Sequence, residues 1–339
     1  YITGHGSELA QDGYFSSFIA KGASVEIVFL LFTLLTLGII FAGVRNGVER
    51  VSRMMMPVLV VLSVIIAAYS VTRPGALEGV KYFLVPNPAN FSWMTVVAAM
   101  GQMFYSLSIA MGILVTFCSY MKKDVSIEGS TENVEIFDTL IAMMAGLMII
   151  PAVFSFSGGD PDTLQAGPAL MFITIPKVFE SMELGSLVGV LFFVLVLFAA
   201  VTSSIALTES AVSTFEDELG WSRKKAVAVI GIIMVLLGSL SALGYGPLSG
   251  VTVIGMQFLD FFDFLTNSVM MPIAAIATCL LVTSVIGVEK IEEEVTRNGQ
   301  PFRRKKIFNF MIRALCPVFA AIILVSSYHM GKWIYTPSI

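Results

Sequence analysis

Charge is scarce in this 339-residue chain: only 13% of its residues are Asp, Glu, Lys or Arg. Soluble domains carry about 25%. A soluble fold of this size would need far more polar surface, so that class is excluded. Histidine and cysteine are also few. His5 and His329 lie far apart in sequence, and Cys118, Cys279 and Cys316 each sit inside an apolar run. No Cys/His cluster has metal-ligand spacing, and the cysteines read as small buried hydrophobes. No nucleophile stands beside a base, which leaves an intramembrane enzyme without its chemistry. No run of like charge is long enough for a binding tail, and a net charge of −4 does not suggest nucleic acid. The chain opens on Tyr1, with neither an initiator methionine nor a signal peptide. It is therefore expected to be part of a longer chain.

What is present is apolar. Hydrophobic residues make up 56% of the chain, and the mean hydropathy is +0.86. The class is an all-α, polytopic membrane protein whose main solvent is the lipid bilayer. Eight spans are long enough for the hydrocarbon core: 25–44, 54–72, 93–121, 138–158, 184–208, 226–244, 264–288 and 311–330. Basic residues gather on alternate loops, at Arg45, Arg50 and Arg53; Lys122 and Lys123; Arg223, Lys224 and Lys225; and Lys290, Arg297 and Arg303 through Lys306. Positive charge marks the cytoplasmic side. Both visible ends are then extracellular, and an odd number of further spans is expected upstream. The outer loop 156–182 is unusually apolar and reads either as a plain loop or as a partly inserted lid carrying Leu170, Met171, Phe172 and Ile173.

Polar groups stand where apolar ones are expected. The third span has "YSLSIAMG", residues 105–112, at its middle. Small residues could simply allow close helix packing. The alternative is a broken helix whose freed backbone groups hold a solute and cations. In the fifth span, Ala199, Thr202 and Ser203 share one helix face. They offer oxygens to a monovalent cation, unless the hydroxyls bond back to their own helix. Asp138 opens the apolar part of the fourth span. A helix starting at Ser130 would set it about 12 Å in, where a carboxylate is a functional candidate. Gly47 and Pro57 form a kink or a segment that can unwind.

Together the stretches "GQMFYSLSIAMG", "AGPALMFITIP", "FAAVTSSIAL", "FEDELGWSR" and "GVERVSRMMMPVL" resemble the neurotransmitter:sodium symporters, with the LeuT-type inverted-repeat fold. The likeness runs from about residue 20 to the end. Met111, Asp138 and the Gly47–Pro57 spacing are most similar to the bacterial branch that carries hydrophobic amino acids. The resemblance implies that residues 1–92 hold the family's fourth and fifth helices and an outer loop. Residues 93–288 would hold the second inverted repeat with its lid at 156–182, and 289–339 a basic cytoplasmic loop and the last span. Three N-terminal helices would be missing, including the first, which supplies much of both sodium sites.

The resemblance also implies roles. Ser106 and Asp138 would bind one sodium ion, and Ala199, Thr202 and Ser203 a second. Tyr105, Ser106, Ser108, Met111, Ser203 and Leu207 would surround the amino acid. Gln102 and Asp263 would form the outer gate, Tyr120 and Asp217 the inner gate, and Gly47 and Pro57 the hinge. The position one turn beyond Asp138 is Ala142, so Asp138 itself would supply the negative charge and transport would not need chloride. The expected function is sodium-coupled symport of neutral, hydrophobic amino acids across the cell membrane. A non-transporting membrane fragment, or a carrier of another small solute, is the alternative. Sequence does not indicate the oligomeric state.

Overall fold

The computed structural model describes residues 1, 4–11, 13–160, 164 and 167–330. Two short helices, α1 (Gly6–Leu9) and α2 (Tyr14–Ala20), precede the long α3 (Gly22–Phe41) and α4 (Arg50–Val71). A surface helix α5 (Ala76–Leu84) follows, then α6 (Trp93–Ser106), α7 (Ile113–Ser119) and α8 (Ile127–Ser157). The lid helix α9 (Ile175–Glu180) leads to α10 (Gly185–Leu219) and α11 (Arg223–Leu243). The rest is α12 (Phe258–Asp263), α13 (Met271–Leu280), α14 (Val288–Val295), α15 (Lys305–Phe310) and α16 (Cys316–Met330). Among the described residues the only β feature is an isolated bridge between Val253 and Met256.

Seven stretches of described helix are long and apolar enough to cross a membrane. The eighth expected span is the one split between α6 and α7. Outward faces of the spans expose Leu31, Leu34, Met54, Leu236 and Val285, each more than 60% accessible. Water would not tolerate so continuous an apolar surface, whereas lipid does.

Prolines shape the spans. π-helical turns at Leu170–Thr174, Phe264–Met270 and Met311–Leu315 each run up to a proline, at Pro176, Pro272 and Pro317. Proline has no N–H to donate four residues back, and its ring crowds that carbonyl. The preceding turn widens in response, which keeps the helix continuous.

The chain divides into two compact units. The first comprises Tyr1–Ala89 and Thr139–Val251, the second Asn90–Asp138 and the chain from Thr252 onward. In the first unit, small residues let helices approach. A Cβ on Gly231 would meet Leu37 at 2.8 Å, and one on Gly238 would meet the Phe29 ring at 2.2 Å. These glycines are seven residues apart on α11, so both face α3. Ile66, Ala152, Val153, Ile175, Val178, Phe179 and Phe192 are buried together between α4, α8, α9 and α10. Lid burial therefore falls on Ile175, Val178 and Phe179. Leu170, Met171 and Ile173 are only half-buried, and Phe172 is 40% exposed.

In the second unit, Phe104, Met271, Ala275, Ala320 and Ile323 pack as a core that joins α6, α13 and α16. Its charged segment folds as the composition suggests, with α14, a turn at Arg297–Gly299 and the basic start of α15. Glu128 accepts the backbone N–H groups of Arg303 and Arg304 at 3.0 and 2.9 Å, which caps α15. The Arg304 side chain pairs with Glu135 at 2.7 Å and Glu132 at 3.5 Å.

Candidate functional site

The third span is a broken helix. Ser92 caps its start by accepting from the Thr95 N–H at 3.2 Å. The ladder fails after Ser106, where Ile109 N–H reaches five residues back to Phe104 O at 2.9 Å. Ser108 (φ +54°), Ala110 (φ +62°) and Gly112 (φ +77°) then take left-handed backbone conformations. For two residues with a Cβ this is uncommon and costs on the order of 1 kcal/mol or more each. Gly112 ends the break, and its carbonyl accepts from Thr116 N–H as α7 begins. At the end of α6 the Met103, Phe104 and Tyr105 carbonyls accept from Leu107, Ile109 and Ser108, so the regular ladder gives way to irregular turns.

Asp138 faces this break. The helix α8 starts at Ile127, three residues earlier than Ser130, so Asp138 lies about 16 Å along it at 1.5 Å per residue. The Ser106 hydroxyl donates to Asp138 Oδ1 at 2.6 Å, a length typical of a charge-assisted bond. A hydroxyl oxygen and a carboxylate thus meet at the break. Both are hard oxygen donors, suited to a small cation.

Other residues of this unit have distinct settings. Tyr105 is 53% exposed, and Gln102 is exposed. Met111 is half-buried against the Phe104–Met271–Ile323 core, together with Ile109 and Ala110. Asp263 is exposed and accepts from the Asn267 amide at 2.5 Å. Tyr120 is 39% exposed and meets the Phe117 ring edge-on. Beside Tyr105 a cavity of about 30 Å³ is lined by Gly101, Phe104, Asn267, Met271 and Pro272, room for one water.

The oxygens of the fifth span stand on α10, in the first unit. Thr202 donates to Phe198 O and Ala199 O, both at 3.0 Å. The hydroxyl is thus bonded to its own helix, the alternative weighed above, with its lone pairs left to accept. Ser203 and Leu207 are exposed on the same helix, as is Asp217 at its end. In the π-helical turn Val44–Glu49 that leads into α4, Gly47 serves close approach: a Cβ there would lie 2.0 Å from the Ile39 carbonyl oxygen. Pro57 deprives the Arg53 carbonyl of its usual partner.

Sequence reasoning assigned Glu209 no role. In the structure it is fully buried and forms a two-pronged ion pair with Arg223, at 2.6 and 3.1 Å. Arg223 also bonds Glu216 at 3.2 Å and donates twice to Ile40 O, at 2.8 and 3.0 Å. One guanidinium therefore ties α10 and α11 to the C-terminal end of α3, where a cation also suits the helix dipole. The only sequence signal was a glutamate two turns inside Asp217.

A larger cavity lies in the first unit. It measures about 670 Å³ and is lined by Tyr1, Phe15, Phe18, Phe172, Phe193 and other apolar groups. Burial pushes the Tyr1 hydroxyl pKa up to about 12, with Glu180 adding to the effect.

Comparison with known proteins places this arrangement. The family model described as sodium:neurotransmitter symporter family matches residues 14–336. An uncharacterized sodium-dependent transporter of Bacillus subtilis is 35% identical over 324 residues, covering 94% of this chain and 70% of that protein. An uncharacterized sodium-dependent transporter of Haemophilus influenzae is 30% identical over 305 residues, covering 89% of this chain and 65% of its own length. The crystal structure of MhsT in complex with L-phenylalanine superposes with a TM-score of 0.82 at 33% identity, covering 96% of this chain and 74% of that one. The chain belongs to the sodium:neurotransmitter symporter family, whose members are sodium-dependent membrane transporters and not enzymes.

Proposed function

We propose that this protein performs sodium-coupled symport of neutral, hydrophobic amino acids by alternating access. The observation that carries the reading is the Ser106–Asp138 bond at the break between α6 and α7. A full negative charge beside a hydroxyl, deep along a spanning helix, is costly unless it meets a cation. Sodium is that cation, bound by Ser106, Asp138 and carbonyls of the broken helix. The amino-acid carboxylate shares the ion, so sodium and substrate each raise the other's affinity by the same factor.

Ser108 and Ser203 help hold the amino acid, Met111 and Leu207 contact its side chain, and Tyr105 closes over it. Ala199, Thr202 and Ser203 take a second sodium ion. Gln102 and Asp263 guard the outer side, Tyr120 and Asp217 the inner side, and the helical stretch between Gly47 and Pro57 unwinds. Residues 93–288 form the second inverted repeat, with 156–182 as its outer lid. The protein lies in the cell membrane with the basic loops inside and both visible ends outside. The phenylalanine in the similar MhsT structure favours an apolar side chain.

The test is uptake of labelled leucine or tryptophan by the full-length protein, with sodium replaced by choline. Uptake is expected to need sodium; uptake without it overturns the proposal. Because Ala142 stands one turn beyond Asp138, the negative charge at the first site is resident and chloride is not required. Replacing chloride by gluconate is expected to leave the rate unchanged. A rate that vanishes in gluconate would show instead that the site takes its negative charge from a mobile anion.

A further inference from the structure

The last span begins with four consecutive basic residues, and these are not equivalent. Arg304 is engaged by Glu135 and Glu132, and Lys305 is paired with Glu292. Arg303 faces Glu128, which its own backbone N–H also bonds. Among the described residues no carboxylate pairs with Lys306. A fifth cation, Arg313, sits seven residues further along the continuous helix, about 10 Å deeper at 1.5 Å per residue. It too has no protein counter-charge among the described residues, although it lies within a spanning helix that contains an 18-residue stretch of mean hydropathy 2.1.

Exposure along this helix recurs with the helical period. Lys306, Ile307, Phe310, Arg313, Ala314 and Val318 are exposed, whereas Ala320 and Ile323 are buried on the other side. Lys306 and Arg313 therefore share one lipid-facing stripe with Phe310 between them. A cation within a span is costly without an anion, and long basic side chains reach toward the interface to find one. The anion available at that depth on a lipid-facing stripe is a lipid phosphate, and the apolar residues beyond Arg313 suit its acyl chain.

We propose that Lys306 and Arg313 form a binding site for an anionic phospholipid on the side of the membrane that carries the basic loops. Lys306 meets the headgroup from the surface and Arg313 meets its phosphate from below. The site is distinct from the transport site proposed above, since neither Lys306 nor Arg313 is among the residues assigned to ions, substrate or gates.

The test uses detergent-solubilised, delipidated full-length protein titrated with phosphatidylglycerol or phosphatidylcholine and read by native mass spectrometry. Wild type is expected to retain phosphatidylglycerol in preference to phosphatidylcholine. K306Q and R313Q are each expected to weaken phosphatidylglycerol binding about fivefold, and the pair together roughly 25-fold. R304Q, whose guanidinium already serves two glutamates, is expected to keep the preference. Equal retention of both lipids by wild type overturns the proposal, and so does undiminished phosphatidylglycerol binding in the double variant. Displacement of the lipid by millimolar inorganic phosphate would show a site for the free anion and would also overturn it. If the double variant does not fold, the single variants decide, because both side chains are exposed.

Discussion

Asp138→Ala is expected to abolish sodium-dependent binding of the amino acid. Asp138 brings a formal negative charge to the broken helix, through Ser106 at 2.6 Å. Removing one partner of a charged, hydrogen-bonded pair costs about 2–5 kcal/mol. Asp138 is only half-buried, so water screens part of this and about 3 kcal/mol is the reasonable figure. That corresponds to a loss of sodium affinity on the order of 100-fold. Asp138→Asn separates charge from shape: it can still accept from Ser106 but brings no negative charge. It is expected to lose nearly as much affinity as the alanine variant. Ser106→Ala keeps the charge, removes one neutral oxygen, and is expected to lose about tenfold. The measurement is equilibrium binding of labelled substrate against sodium concentration. Unchanged sodium affinity in Asp138→Ala would remove this carboxylate from the site.

Arg223→Met is expected to destabilise the protein by about 3 kcal/mol or more. Glu209 is fully buried, and Arg223 is its counter-charge. Breaking a buried pair from one side leaves an uncompensated charge, a loss of about 3–5 kcal/mol. The Arg223 side chain is 22% accessible, which places the effect toward the lower end. Arg223→Met also leaves Ile40 O without its two donors, at the corner from which α3 turns toward Gly47. The double replacement Glu209→Met with Arg223→Met is expected to recover most of the loss, because two matched apolar groups need no partner. Thermal unfolding of the purified variants reads both. A single variant as stable as wild type, or a double variant no better than the single, would mean that the pair does not hold these helices together.

These two clusters also show how much could be read before folding. The bilayer class, the spans and the place of the break follow from composition and local pattern. A stretch of some twenty apolar residues is a local property, and so are two serines, an alanine and a glycine set within one. The expectation that "YSLSIAMG" interrupts its helix is met by left-handed backbone at Ser108, Ala110 and Gly112. At Thr202 the weighed alternative is what the structure displays, because a helix always offers a hydroxyl the carbonyl one turn back.

Other features depended on where distant segments meet. The depth of Asp138 hinged on a helix start that hydropathy cannot locate, because charged first turns read like loop. Its partner Ser106 is 32 residues away in sequence. Glu209 drew no attention because nothing near it in sequence explains a buried carboxylate. Arg223, which had counted only as one more basic loop residue, reaches both Glu209 and an Ile40 carbonyl 183 residues distant. Sequence by itself determined that this chain lives in a membrane and where one helix could break, since each is a sum over neighbours along the chain. Tertiary structure alone decided which charges are paired and which are left to the lipid. A charge in a low-dielectric interior is governed by what stands within a few ångströms of it, not by its neighbours in sequence.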